Sequence, residues 1–241
     1  EGSRTQLGEK ADGVYPLYWS EGDKIAVNGI ASAPLAAEAH GQTSATFTID
    51  GTVEYPYNIV YPAPAEGVVA ATEGQQVVSF LAAQPYTAGT FAEGSTPLYA
   101  QVGAAGEAIS LSHLAGVLCF APKGEGVTLT SLVITSEIGK IAGNFDVDCA
   151  TGTLTAHSDA TNSVTVSFGE GLALGAEATP IYLQFLQVST NLLIAGIEGI
   201  AVGITFCHRR LPDGFKIMRG PMRVAISTKP DRIPAIHKSL F

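Results

Sequence analysis

The chain has 241 residues, 46% hydrophobic and 15% charged, with a formal net charge of −9. So apolar a composition excludes intrinsic disorder and long coiled coils, because an ordinary soluble domain is about 25% charged and disordered segments are more polar still. The length accommodates one large domain or two of roughly 100 to 120 residues, and a pI of 4.9 sets nucleic acid aside, since phosphate binding needs clustered Lys and Arg.

Short β-branched and aromatic runs punctuated by Gly, Pro, Asp and Asn recur along the chain, the signature of an all-β protein. The predicted strands are 24–28, 45–49, 57–61, 76–82, 97–102, 108–112, 116–121, 127–135, 140–146, 153–156, 163–168, 181–188 and 191–197. No long window carries a 3.6-residue apolar period, so little helix is expected. In 46–49 (TFTI) and 164–168 (VTVSF) apolar and polar residues alternate, which marks strands with one wet face. Asp50-Gly51 is a hairpin-turn signal, and 148–152 (DCATG) forms a turn between 144–147 and 153–155. Hairpins of this kind imply antiparallel sheets.

The small-residue stretch 103–107 (GAAGE) pauses the pattern, and thirteen strands strain a single two-sheet sandwich. The expected division is therefore an N-terminal β-sandwich domain over 1–105 and a C-terminal one over 106–200, with 123 as a fallback boundary. Charge marks a third region. Residues 1–200 hold five of the 13 basic and 20 of the 22 acidic residues, a net of −15, whereas 201–241 hold eight and two, a net of +6.

The most lipid-like stretch, 192–206 (LLIAGIEGIAVGITF), is 15 residues long and contains Glu198. A spanning helix needs about 20 apolar residues, so buried strands are the better reading. Cys119, Cys149 and Cys207 are too widely spaced for a metal motif and odd in number for a disulfide framework.

Few residues invite a catalytic reading. His157, Ser158 and Asp159 are sequence neighbours, whereas a triad is assembled from distant residues. No G-x-S-x-G elbow is present, and Ser112-His113 reads as a strand end beside the core. Gly124-Glu125-Gly126 and Gly169-Glu170-Gly171 lack the Lys and Ser/Thr of a phosphate loop. Asp146 and Asp148 form a D-x-D on one strand face, a pattern that suits calcium, but no further oxygen ligands gather near them in the sequence, so they read as a solvated strand end; the five histidines are dispersed. No catalytic residue, cofactor or metal is expected, and a binding or structural protein is favoured over an enzyme.

Several segments, in order, resemble Bacteroidetes fimbrillin-like proteins. Arg4-Thr5-Gln6-Leu7 is followed by Trp19-Ser20-Glu21-Gly22-Asp23-Lys24-Ile25-Ala26-Val27, similar to an R-T segment preceding W-x-x-G-D-x-I-x-V. Tyr57-Asn58-Ile59-Val60-Tyr61-Pro62-Ala63, Pro97-Leu98-Tyr99-Ala100, Leu111-Ser112-His113-Leu114-Ala115-Gly116 and Ala142-Gly143-Asn144-Phe145-Asp146-Val147-Asp148 continue the set, which covers about residues 4–195.

The resemblance implies a cell-surface protein of the outer membrane, made as a lipoprotein precursor whose lipid-bearing Cys lies upstream of Glu1. Membrane attachment would come only through that anchor. It further implies two transthyretin-like β-sandwich domains and a role as fimbrial subunit or adhesin, with other fimbrial subunits as partners and surface glycans or proteins as ligands. Subunits of such fimbriae join by β-strand exchange, a form of β-augmentation. The strand-releasing cleavage of the family follows a basic residue, which makes Arg4 the Arg candidate in the N-terminal region, alongside its reading as an ordinary residue of the mature N-terminus. Trp19, Gly22, Asp23, Tyr61 and Pro62 are scaffold positions: Gly22-Asp23 turns the chain into a strand, Trp19 closes one end of a sandwich, and Tyr61-Pro62 ends a strand.

The basic, Pro-punctuated residues 201–241 depart from the family pattern. They read either as a frameshifted or incomplete end of the second domain, or as a divergent tail wrapping the sandwich. Two other functions compete with the fimbrial one. A monomeric surface lipoprotein could bind glycans on a platform drawn from Tyr15, Tyr18, Tyr55, Tyr57, Tyr86 and Tyr99, and a secreted β-sandwich hydrolase would need a concave site of converging acids, bases or metal ligands.

Overall fold

The computed structural model describes residues 6–7, 17–92, 94–105, 109–186, 191–194, 201–207 and 221–228; residues 6–7 and the last three segments are described by their backbone pairing. Arg4 and Tyr15 lie outside these ranges. The strands are β1 (Gln6–Leu7), β2 (Leu17–Tyr18), β3 (Ala26–Val27), β4 (Ile30–Ala31), β5 (Tyr57–Tyr61), β6 (Gln76–Phe80), β7 (Ala83–Pro85), β8 (Leu98–Val102) and β9 (Ser112–His113). They continue with β10 (Gly116–Lys123), β11 (Thr128–Ser136), β12 (Gly143–Asp148), β13 (Thr153–Ala156), β14 (Ser163–Ala173), β15 (Ile181–Phe185), β16 (Asn191–Ile194), β17 (Ala201–Cys207) and β18 (Pro221–Thr228). A single 3-10 turn, Ala37–Ala39, is the only helical element among the described residues. The protein is all-β.

The strands form sheets ordered β4-β3-β5-β8-β9, β13-β12-β6, β16-β18-β11-β14-β7, β15-β10-β17 and β1-β2. Pairing is antiparallel except where β7 joins β14 and β16 joins β18. The turn expected at 148–152 joins β12 to β13, with Asp148 opposite Thr153. The Asp148 carboxylate accepts the Ala150 N–H at 2.8 Å, and Gly152 takes φ +72°. Asp50-Gly51, by contrast, is a bend beyond an isolated bridge between Ser32 and Ile49, not the tip of a paired hairpin. The alternation in 46–49 nonetheless survives, because Phe47 and Ile49 pack inward while Thr46 and Thr48 face solvent.

One sheet has apolar clusters on both faces. Val27, Ile59, Tyr61, Leu98, Ala100 and Val102 of β3, β5 and β8 enter a smaller cluster that Trp19 and Phe47 help to cover. Their alternate neighbours Ala26, Val60 and Tyr99 enter the larger cluster instead. Period-two geometry sends successive side chains to opposite faces, which is why β5 (YNIVY) becomes wholly buried from Ile59 to Tyr61.

The larger core gathers the inward rows of β6, β10, β11, β12, β14 and β15: Val78 and Phe80, Leu118 and Phe120, Leu132 and Ile134, Phe145 and Val147, Val164 and Val166, Ile181 and Leu183. Leu129 and Leu132 are three apart yet both buried. A register shift between Leu129 and Ser131 supplies the extra residue that keeps both inward.

Three ladders cross the boundary expected at residue 105, the shortest joining β8 to β9. Residues 76–80 of β6 pair with β12, and 83–85 of β7 pair with β14, so strands from before that point belong to sheets built mainly after it. Within residues 201–241, β17 pairs with β10 and β18 with β11, which places tail segments in both sheets. Pro221 opens β18, the strand position where a missing N–H costs least.

Candidate functional site

Trp19, Gly22, Asp23, Tyr61 and Pro62 meet at one place. Ser20 to Asp23 form a tight turn with Gly22 at φ +87°, a conformation glycine adopts without steric cost. The Ser20 N–H donates to Asp23 Oδ2 at 2.9 Å, and the Asp23 N–H returns to the Ser20 carbonyl at 3.2 Å. Tyr61 reaches in from β5 and donates its hydroxyl to Asp23 Oδ1 at 2.9 Å. Both Asp23 and Tyr61 are completely buried.

The Trp19 ring packs edge-on against Tyr61 at 5.2 Å and against Phe47 at 5.1 Å. Gly22 N–H to the Leu35 carbonyl and Leu35 N–H to the Asp23 carbonyl tie in the segment beyond β4. Pro62 follows Tyr61 through a cis bond, and the Ala63 N–H donates to the Lys24 carbonyl at 2.9 Å. Each Asp23 oxygen receives a hydrogen bond from the fold, which holds loops in register and presents no reactive group.

A second constellation was not legible as a unit in the sequence. Asp146, on the outer face of β12, is 1% exposed, so it is not a solvated strand end. Its carboxylate accepts the N–H groups of Ala71 and Thr72 at 3.1 and 2.9 Å and faces His157 Nε2 at 2.5 Å. Burial alone would raise its pKa, but the hydrogen bonds from His157, Ala71 and Thr72 outweigh that and hold it below the usual carboxylate value.

Asn144, two residues earlier, bonds Asp159 through Nδ2 and Ser79 through Oδ1. His157, Ser158 and Asp159 thus form a turn whose two ionisable members take different partners. The hairpin register carried the signal: continuing it past Phe145 opposite Ala156 sets His157 across from Asn144 and diagonal to Asp146.

The third is a seam between sheets. Gln84, the buried centre of β7, donates from Nε2 to the Gln184 carbonyl at 2.5 Å and accepts the Gln184 N–H on Oε1 at 3.2 Å. Its side-chain amide stands where a neighbouring strand's peptide would pair with β15. Gln184 Nε2 donates to Thr96 Oγ1 at 2.8 Å, while Gln184 Oε1 is buried without a hydrogen-bond partner among the described residues.

The remaining candidates disperse. Tyr55 and Tyr57 stack at 4.0 Å with Tyr55 exposed, whereas Tyr86 leans on Phe168, Tyr99 is buried and Tyr18 half-buried. Burial, aided by the Asp148 charge, pushes the Cys149 thiol up to about 12, far from nucleophilic. Among the described residues no group of three or more His, Cys, Asp or Glu could hold a metal ion, and no helix is long and apolar enough to cross a membrane.

Fold and site together define an all-β protein whose buried polar groups organise loops and sheet edges. Comparison with family models, curated proteins and solved structures gave no match to any of them.

Proposed function

We propose that the chain is a structural subunit or adhesin of cell-surface fimbriae that assembles by β-strand exchange and performs no catalysis. The observation that carries this reading is the convergence of the fimbrillin-like motif positions Trp19, Gly22, Asp23, Tyr61 and Pro62 on one buried node. Open antiparallel sheets support it, because an unpaired edge is the template that strand addition uses.

Two apolar clusters lie on opposite faces of the β3-β5-β8 sheet. Outer-membrane attachment follows through a lipid anchor on the precursor, and the partners are other subunits of the fimbria. β1 begins two residues after Arg4, so cleavage there leaves β1 attached. Arg4 then marks a mature N-terminus more naturally than a strand release.

The test is an unheated SDS gel of the full chain at rising concentration. Ladders of multimers that collapse on boiling support the reading, and a single monomer band overturns it. A second reading, a monomeric surface lipoprotein that binds glycans, is favoured by the exposed Tyr55 ring stacked on Tyr57, since flat aromatic faces bind sugar rings. It requires Tyr55→Ala to abolish glycan binding while the chain stays monomeric.

A further inference from the structure

β7 is a narrow bridge between two sheet edges. On one side three residues pair with β14: Ala83 with Thr165, Gln84 with Val166 and Pro85 with Ser167. On the other side the Gln84 carboxamide meets the backbone of β15 at Gln184. Pro85 has no N–H to give, and Ala82, Ala83 and Pro85 are exposed. Gln184 Oε1, buried and without a partner among the described residues, weakens the closed arrangement, because an unmet acceptor away from water is costly. Only residues 81–82 connect β7 to β6, and short hinges of this kind favour exchange of a segment between copies.

We propose that the seam between β14 and β15 is an acceptor for an extended segment of a second copy of this chain, the β7 strap of that copy. The chain's own strap shows the fit. Its backbone runs parallel to β14, and its central Gln reads the peptide of Gln184 with both ends of the amide. Exchange between copies would therefore recreate every bond that opening removes.

Residues 81–90 lie between the buried side chains of Phe80 and Phe91. At most about 3.5 Å per residue is available, so the strap reaches roughly 15 Å out and back, and the copies must meet at this corner. The proposal rests on the strand-exchange reading above and gives it a location.

The test uses the full chain and a lock. Ala83→Cys with Thr165→Cys joins β7 to β14 under oxidising conditions, confirmed by peptide mapping. Sedimentation should show wild-type and reduced variant associating with rising concentration, and oxidised variant staying monomeric. A labelled peptide LAAQPYT, matching residues 81–87, should also bind the Gln84→Ala chain, and the peptide carrying the same change should bind about tenfold more weakly. Oxidised variant that associates like wild type overturns the proposal, as does a peptide that ignores its Gln. Locked chain that still forms SDS-resistant ladders removes the seam and keeps the fimbrial reading; peptide binding without any ladder keeps the seam and removes that reading.

Discussion

The Tyr61 hydroxyl donates to Asp23 Oδ1 at 2.9 Å across 38 positions of sequence, joining the end of β5 to the turn that launches β3. Both groups are sealed from water, so the bond has no solvent substitute. Tyr61→Phe keeps the ring against Trp19 but leaves that carboxylate oxygen a donor short. It should cost about 1–3 kcal/mol, read as a lower urea midpoint with an unchanged slope. Asp23→Ala should cost at least as much, because it frees the Ser20 N–H as well.

Acid should loosen the Asp146 clamp. The folded carboxyl lies below its usual value, so its contribution is complete above the unfolded value of about 3.9 and is lost as pH falls from there through the folded value. Denaturation midpoints measured across acid pH should decline for wild type. Asp146→Asn should start lower at neutral pH and decline less steeply.

Glycines at positive φ should rank by what surrounds them. A Cβ on Gly143, at φ +100°, would fall 2.6 Å from the Ala160 Cα, and backbone cannot move aside cheaply. One on Gly67, at φ +80°, meets nothing within 4 Å. Gly67→Ala should cost about 1–2 kcal/mol from backbone strain alone; Gly143→Ala should cost more, about 3 kcal/mol or above, as overpacking adds to strain. Thermal melts of the two variants give the ranking.

Cys149 should resist alkylation in the folded protein. With its thiol at about 12 it stays protonated at pH 8, and it is buried against the Ile59 carbonyl. Iodoacetamide labelling followed by peptide mass analysis should find it modified only after denaturant is added.

Much of the architecture was legible because strand chemistry is local. Tyr57–Tyr61 and Thr153–Ala156 fall where alternation and turn residues set them. β7 was missed because its three residues include Pro85 and its pairing is parallel, held from a distance by Gln184. β18 was missed because Pro221, Met222 and Arg223 hide a strand that gains its order from β11.

The division near residue 105 rested on a run of small residues. Long-range ladders from β6 and β7 across that point leave no local mark in the sequence. Of the motif residues, Gly22 and Asp23 announced a turn. Nothing local announced that Asp23 would accept from Tyr61 or that Asp146 would gather a loop and a histidine.

Sedimentation velocity of the full chain decides whether copies join by strand exchange. Strand exchange should give discrete species at two or more times the 24.9 kDa mass of the chain, persisting on dilution. A single monomeric species at every concentration would contradict it.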